Sequence, residues 1–222
     1  MTGAVKFFSL FLIFFLLSTY TPNQKSNAKS LIFPTQNIII ENNHIIDARE
    51  LIEELQYLIG GSLFFINKEK IKEHINNNQF ISSFRLKKIY PDSIKIIVTE
   101  KEPVAIYIKG KDKFYLSEKG ELIKFIYLKD YINLPNVFGE NEKFGALYNI
   151  LKFINFLIKE IKSFYYFDID RWDILLKNEK IVKLSTNKYI ENLENFLQIY
   201  NNQNFDKYTI FDYRISGQLI LN

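Results

Sequence analysis

The acidic pair Asp168 and Asp170 is the arrangement in this chain most able to do chemistry. At period-two spacing both carboxylates would lie on one face of a strand, where they can bind a metal ion or work as an acid–base pair. They also precede Arg171, at a point where the strand pattern indicates a turn, and this favours turn carboxylates or an ion pair with Arg171. We therefore predict a structural role for both, and keep an enzyme that uses them as the least favoured hypothesis.

The sequence offers no other arrangement typical of catalysis or metal binding. The two histidines, His44 and His74, have no carboxylate or second histidine at ligand spacing, and Glu73-His74 lacks the partner four residues away that a zinc-protease helix requires. The chain has no cysteine, which excludes disulfides, thiolate catalysis and cysteine metal sites. A catalytic site needs a nucleophile, a base and a group that orients them. The sequence thus predicts a binding protein and not an enzyme, with no catalytic residue, cofactor or metal.

Composition indicates a folded chain with an ample core. Of 222 residues, 47% are hydrophobic, which is enough for one large domain or two small ones. The formal net charge of +4 is spread through mixtures of lysine and glutamate and is not gathered in one basic block. A nucleic-acid partner is therefore not expected.

The amino-terminal segment predicts a membrane anchor. Residues Phe7 to Leu17 are apolar apart from Ser9, and Ala4 and Val5 extend the run across Lys6. This length alone does not decide between the core of a signal peptide and a membrane-spanning helix. Ser26-Asn27-Ala28 has the form of a cleavage site, but it lies about ten residues beyond the apolar run, farther than is usual for a signal peptide. We predict an uncleaved anchor at residues 1–20 and a polar linker at residues 21–36, with a cleaved signal peptide as the alternative.

The stretch from Tyr90 to Tyr107 organises the elements that follow the linker. Residues 91–93 are turn formers, and the runs on either side alternate apolar and polar residues, as in the two strands of a hairpin. The apolar positions of the second run are Ile94, Ile96 and Val98. Upstream, residues 38–41 predict a strand, and capping residues at Asp47 and Asn67 predict two helices. The order strand, helix, helix, strand, strand predicts an α+β layer with helices on one face of a small sheet.

A second set of strands and helices is predicted after Pro103, where a new apolar strand begins. The predicted strands are 104–108, a hairpin within 113–123, and then 165–169, 171–177, 180–184, 208–215 and 218–221. Residues 134–139 are predicted as a loop. Helical spacing predicts one helix over 141–162 and another that is capped near Thr186 or Asn187 and passes through Tyr200.

Several short motifs, in order along the chain, resemble the FtsQ/DivIB family of bacterial cell-division proteins. They are Ile38 to Asn43, Tyr90-Pro91, Glu100-Lys101, Pro103-Val104-Ala105, Leu134-Pro135 with Gly139, Arg171-Trp172, and Asp212 to Gly217. Their order and spacing carry the resemblance, which covers nearly all of the chain after residue 36. It implies a small polypeptide-transport-associated (POTRA) domain of β-α-α-β-β order at 37–102, and a mainly antiparallel β domain with packed helices at 103–222.

The resemblance also implies a function. Members of the family are non-enzymatic scaffolds of the divisome that recruit the small membrane proteins FtsB and FtsL by β-strand addition. It implies a single-pass protein of the inner membrane, with the bulk of the chain in the periplasm at the division septum. The corresponding partner-binding residues are Phe211, Asp212, Tyr213, Arg214, Ile215, Ser216, Gly217 and Gln218. The POTRA hairpin is predicted as a second surface for other divisome proteins, with Arg85, Lys87 and Lys88 as its contacts.

Three alternatives stay open at this point. Tyr213 and Arg214 are either contact residues of the kind enriched at hot spots, or a core residue and an ion-pair partner of Asp212. A solvated strand face explains the basic residues of the hairpin equally well. The alternative function is a secreted POTRA-bearing module for protein transport or outer-membrane assembly, which predicts cleavage between residues 20 and 28.

Overall fold

The computed structural model describes residues 11–12, 14–15 and 32–222. Most of the predicted anchor at 1–20 and most of the predicted linker lie outside these residues, so both stay predictions. Among the described residues, no helix is both long enough and apolar enough to cross a bilayer. The elements below are numbered from residue 32 onward.

The first unit is a small sheet with two helices. Strand β1 (Asn37–Glu41) pairs in parallel with β3 (Ser93–Glu100), and β2 (Ile81–Ile89) pairs antiparallel with the other side of β3. Helices α1 (Ala48–Glu54) and α2 (Lys68–Asn76) lie between β1 and β2 in the chain. The predicted POTRA order β-α-α-β-β is confirmed.

Side-chain caps begin both helices, as predicted. The Asp47 carboxylate accepts from the amide of Arg49 at 2.9 Å, and the Asn67 side chain accepts from the amide of Glu69 at 3.0 Å. Helix α1 ends at Glu54, and a separate 3-10 turn at Gln56–Leu58 follows it. Leu51 of the helix and Leu58 of the turn are both buried in the core of this unit.

The second unit is a mixed sheet in the order β12-β11-β10-β9-β8-β7-β4-β5-β6. Its strands are β4 (Pro103–Lys109), β5 (Asp112–Ser117), β6 (Leu122–Lys124), β7 (Asn136–Phe138), β8 (Ile161–Phe167), β9 (Arg171–Leu176), β10 (Ile181–Lys183), β11 (Ile210–Asp212) and β12 (Ile220–Leu221). Five of the neighbouring pairs are antiparallel, and three, β4–β7, β7–β8 and β10–β11, are parallel. The prediction of a mainly antiparallel β domain with packed helices is confirmed.

Helices α3 (Phe144–Phe153) and α4 (Tyr189–Tyr200) pack on one face of this sheet. The large side chains buried between helices and sheet are Phe144, Phe164, Trp172, Phe196 and Phe211. Phe196 of α4 meets Phe211 of β11 edge to face, with ring centroids 5.0 Å apart. This contact fixes the last part of the sheet against α4.

Three predicted elements of the second unit were wrong. The predicted loop at 134–139 contains β7, which lies between two parallel neighbours in the middle of the sheet. The predicted helix at 141–162 ends at Phe153, because Asn155 adopts a positive φ of 53° and the chain turns toward β8. The predicted strand at 208–215 is only β11, since the chain leaves the sheet after Asp212.

The two units share a core. Tyr115 of β5 and Ile123 of β6 are fully buried among the apolar side chains of the first unit, and Ile106 of β4 joins them. The Tyr115 ring lies 4.8 Å from Phe125 and 6.4 Å from Phe80. The border of the second sheet therefore packs directly against the first.

Candidate partner-binding surface

The carboxyl-terminal border of the large sheet is formed by β12. Strand β11 lies between β10 and β12, and no other strand of the described residues pairs with the outer side of β12. A border strand presents backbone N–H and C=O groups to which a further strand can bind. The segment predicted to bind a partner, residues 211–218, thus leads into the border strand and does not form it.

The hydrogen bonds of β12 show which backbone groups face outward. Ile210 and Asn222 exchange two hydrogen bonds, with N···O distances of 2.9 and 3.1 Å. In antiparallel strands, residue pairs that exchange two hydrogen bonds alternate with pairs that exchange none. Leu221 and Phe211 form the next pair, so the N–H and C=O of Leu221 point away from β11. Its half-buried side chain packs on the sheet core.

The predicted contact residues divide into buried and exposed groups. Phe211 and Tyr213 are 0% and 5% exposed, and the Tyr213 hydroxyl donates to Asn195 Oδ1 at 2.8 Å. Burial raises the pKa of Tyr213. The exposed residues are Arg214, Ile215, Ser216, Gly217 and Gln218, which connect β11 to β12. Tyr213 therefore fills core, whereas this connection is accessible.

Asp212 and Arg214 form a local ion pair at the start of that connection. Arg214 Nε lies 2.8 Å from Oδ1 and 2.9 Å from Oδ2 of Asp212, and the Arg214 amide donates to Oδ1 at 3.0 Å. These hydrogen bonds hold the pKa of Asp212 below its ordinary value. The Asp212 side chain is buried, while that of Arg214 is 45% exposed. The guanidinium is thus positioned by Asp212 and still open to a partner.

Two further charged residues, which the sequence did not single out, extend this pair across the sheet. In the strand register Lys183 of β10 lies beside Asp212 on one side and Asp173 of β9 on the other. Burial raises the pKa of Asp173, although Arg171 lies 3.3 Å away and counteracts that shift. No local pattern in the sequence indicates that these residues are neighbours, because only the register of the three strands brings them together. The result is a row of alternating charges across β9, β10 and β11, in which both carboxylates are buried.

The acidic pair considered for catalysis lies in the turn between β8 and β9. Asp170 has a positive φ of 59°, accepts from the Tyr166 hydroxyl at 2.8 Å and pairs with Lys143 at 3.2 Å. The hydrogen bond from Tyr166 lowers the pKa of Asp170 and raises that of Tyr166 to about 12. The predicted turn position is confirmed, but Arg171 pairs with Asp173 and not with Asp170. In the described part of the chain, no cluster of three histidine or acidic residues could hold a metal ion.

Comparison with known proteins decides the family. The profile described as "POTRA domain, FtsQ-type" matches residues 33–101, and the profile described as "Cell division protein FtsQ/DivIB, C-terminal" matches residues 105–214. The chain belongs to the FtsQ/DivIB family. The family indicated by the short motifs is thereby confirmed. FtsQ/DivIB proteins act at the division site and interact with other proteins of the division machinery.

Individual relatives of this FtsQ/DivIB chain are distant in sequence. It is 29% identical to the cell division protein FtsQ of Rickettsia bellii over 189 residues, which cover 81% of this chain and 70% of that protein. It is 29% identical to the cell division protein DivIB of Clostridium acetobutylicum over 117 residues, or 51% of this chain and 47% of that protein. The extracytoplasmic domain of DivIB from Geobacillus stearothermophilus is similar over 46% of this chain and 92% of that domain, at 14% identity and a TM-score of 0.33.

The POTRA domain of this FtsQ/DivIB chain does not place its three predicted contact residues together. Arg85 and Lys87 pair with Ile97 and Lys95 and lie on the face of the sheet away from the helices. Lys88 is on the helix side, where its Nζ donates to the carbonyl of Phe64 at 3.2 Å. The other feature of β2 is a groove of about 600 Å³ beside α2, at the border of the small sheet. Its lining includes Lys68, Lys72, Phe84, Arg85, Leu86 and Lys87.

Proposed function

We propose that this chain is a non-enzymatic scaffold of the divisome. Its amino-terminal apolar run would anchor it once in the inner membrane, with the POTRA domain at 37–102 and the β domain at 103–222 in the periplasm at the septum. The observation that carries the proposal is the outward-facing backbone of Leu221 at the border of the large sheet. Membership of the FtsQ/DivIB family favours division over the alternative of a secreted transport module.

The partners we propose are FtsB-like and FtsL-like membrane proteins. A segment of the FtsB-like partner would add antiparallel to β12, accepting from the Leu221 N–H and donating to its C=O. Arg214 is available beside this border for a carboxylate of the partner, and the exposed side chain of Ile215 offers apolar contact. Tyr213 would support the surface from the core without touching the partner, since it is buried.

The POTRA domain would supply a second surface for other divisome proteins. Arg85 and Lys87 border the groove between β2 and α2, whose lining is mainly basic along its rim and apolar at Phe84 and Leu86. Because β2 is also a border strand, an extended acidic segment would find both backbone partners and charge complementarity there. Lys88 would not take part, since it does not line this groove and its Nζ donates to the carbonyl of Phe64.

Strand addition is tested by removing the outward amide alone. The full chain, with Leu221→Pro or Leu221→Ala, is titrated with the periplasmic segments of the FtsB-like and FtsL-like proteins of the same organism. Proline removes the outward N–H, whereas alanine removes the packing and keeps that N–H. We expect the proline variant to bind about tenfold more weakly than the alanine variant, as loss of one hydrogen bond implies.

Two results would contradict the proposal in different ways. Equal binding by the proline and alanine variants would mean that the border of β12 is not used. No binding by the unaltered chain, with Trp172 fluorescence showing a native core, would argue against these partners altogether.

A further inference from the structure

An exposed group of aromatic and aliphatic side chains lies at one end of the POTRA domain, and we name it the aromatic cap. Its rings contact one another: Phe33 lies 5.1 Å from Tyr90 and 5.5 Å from Phe64, and Phe64 lies 6.0 Å from Tyr90. Its members, with their exposed fractions, are Ile32 (69%), Phe33 (37%), Ile59 (45%), Phe64 (50%), Phe65 (88%), Ile89 (38%) and Tyr90 (51%). A group of exposed apolar side chains around such a ring cluster marks an interaction site with a protein or a membrane.

The backbone holds the aromatic cap in place. Leu63 donates to the carbonyl of Phe33 at 3.0 Å, and Thr35 and Gly61 make a hydrogen bond of 2.8 Å. The Ser62 hydroxyl donates to the carbonyl of Ile32 at 3.0 Å, so the chain at Ile32 lies along the loop that carries Phe64 and Phe65. These hydrogen bonds hold the two backbone segments from which Phe33, Phe64 and Phe65 project into solvent.

The aromatic cap lies at the end of the POTRA domain that is remote from the β domain. Strand β3 begins beside the cap, after the turn at Tyr90, and ends at Glu100, where the chain enters β4. Eight residues of strand separate the two ends by about 25 Å. The chain also enters the domain through the cap, since Ile32 is one of its members.

The apolar run ends a short distance before the aromatic cap. Residues 18–31 separate Leu17 from Ile32, and fourteen residues reach at most about 50 Å when extended and average roughly 20 Å as a flexible coil. An anchor at the apolar run would thus keep the cap within reach of the membrane surface. Tyrosine is enriched at the membrane surface because its ring is apolar and its hydroxyl is polar, and phenylalanine is typical of the apolar face of segments that lie in this layer.

We propose, on the basis of the anchor proposed above, that the aromatic cap lies in the interfacial layer of the bilayer that carries this anchor. Phe65 and Ile32, the most exposed members, enter the headgroup region, and Tyr90 lies at its outer part. Lys88 is adjacent and adds attraction for anionic headgroups. The contact directs β3 away from the membrane and holds the β domain about one strand length, about 25 Å, farther out.

The absence of cysteine from the sequence makes a site-specific probe straightforward. Phe65→Cys is introduced into the full chain, labelled with a polarity-sensitive fluorophore and reconstituted into vesicles of phosphatidylethanolamine and phosphatidylglycerol. The matched control is Tyr127→Cys, another exposed aromatic position (76%), which follows β6. We expect the probe at 65 to shift to the blue and to be quenched by brominated acyl chains, and the probe at 127 to be quenched only by aqueous iodide.

The outcomes separate this inference from the function it depends on. If the chain floats with the vesicles but the probe at 65 behaves like the probe at 127, the anchor stands and the membrane contact of the cap is wrong. If the probe at 65 is shielded from iodide but not quenched by brominated lipid, protein covers the cap, which also overturns the inference. If the chain does not float with the vesicles, the anchor itself fails.

Discussion

Gly139 lies against the backbone of Tyr166 so closely that a Cβ atom at position 139 would stand 2.6 Å from the Tyr166 carbonyl oxygen. Gly139 also has a φ of 98°, a backbone conformation that residues with a Cβ atom rarely adopt. The contact joins the end of β7 to β8 in the middle of the large sheet. A structural reason therefore exists for glycine at this position of the family-like motif.

The first prediction concerns this contact. Gly139→Ala should lower the free energy of unfolding by about 2 to 4 kcal/mol, because it combines backbone strain with a clash against main-chain atoms. Gly110→Ala is the matched control: φ is 63° there, but the added Cβ meets open space, so only about 1 to 2 kcal/mol is expected. Urea unfolding followed by the fluorescence of Trp172 measures both. Equal effects would show that the close approach to Tyr166 is unimportant.

The second prediction concerns the ion pair of Asp212 and Arg214. Asp212→Asn should lower the free energy of unfolding at neutral pH by about 1 to 2 kcal/mol, since charged hydrogen bonds are lost while the half-exposed Arg214 remains solvated. The pKa of Asp212 is lowered in the folded state. Its stabilisation is therefore present above the unfolded pKa, about 4, and is lost as the pH falls below it.

The pH dependence distinguishes the ion pair from simple packing. The stability difference between the unaltered chain and Asp212→Asn should shrink as the pH is lowered from 7 to 3. Asp173→Asn should behave in the opposite sense, because burial raises the pKa of Asp173 and its ionised form is less favourable in the folded chain. A pH-independent difference for Asp212→Asn would contradict the role assigned to Arg214.

Local patterns in the sequence were sufficient for the POTRA domain and insufficient for parts of the β domain. The caps Asp47 and Asn67 and the alternation of Ile94, Ile96 and Val98 were all found as predicted, because each depends on neighbours a few residues away. Strand β7 has three residues, too few to show a period of two, and parallel neighbours on both sides determine it.

The candidate surface was predictable only in part, for a related reason. The segment that contains Arg214 and Ile215 was identified, but whether Tyr213 contacts a partner or fills the core stayed open, because its burial depends on α4, which strand alternation does not place. Asp173, Lys183 and Asp212 are brought side by side by strand register across nearly forty residues of chain. Long-range pairing of this kind leaves no local signal.

The third prediction concerns Glu100, which ends β3. Its carboxylate accepts hydrogen bonds from the amides of His44, Ile45 and Ile46, each at 2.9 Å, and so ties the segment before α1 to the end of the sheet. Glu100→Gln should lower the free energy of unfolding by about 1 to 3 kcal/mol, because an amide has only one acceptor oxygen. Glu102→Gln removes the same charge at an exposed position and should have little effect. Thermal unfolding of both variants compares the two sites.

The fourth prediction concerns the shared core. Tyr115→Ala should lower the free energy of unfolding by about 3 to 5 kcal/mol, because it removes a fully buried ring between the two units. It should also split one calorimetric transition into two, since Tyr115 belongs to β5 but packs with Phe80 of the POTRA domain. Tyr127→Ala, at an exposed position, is expected to change stability by less than about 0.5 kcal/mol. Independent transitions in the unaltered chain would refute the coupling.

The fifth prediction separates contact from support at the proposed partner surface. Ile215 is 52% exposed on the connection between β11 and β12, whereas the Tyr213 hydroxyl is buried against Asn195. Ile215→Ser should therefore weaken binding of the FtsB-like segment by about tenfold without changing the unfolding transition, as expected for an apolar contact of a partner. Tyr213→Phe should do the reverse: loss of its hydrogen bond costs about 1 kcal/mol of stability and leaves affinity unchanged. Calorimetric titration and urea unfolding of the same two variants provide both values. Weaker binding by Tyr213→Phe, with Ile215→Ser unaffected, would mean that the partner contacts the aromatic side of β11 and that the connection is only a turn.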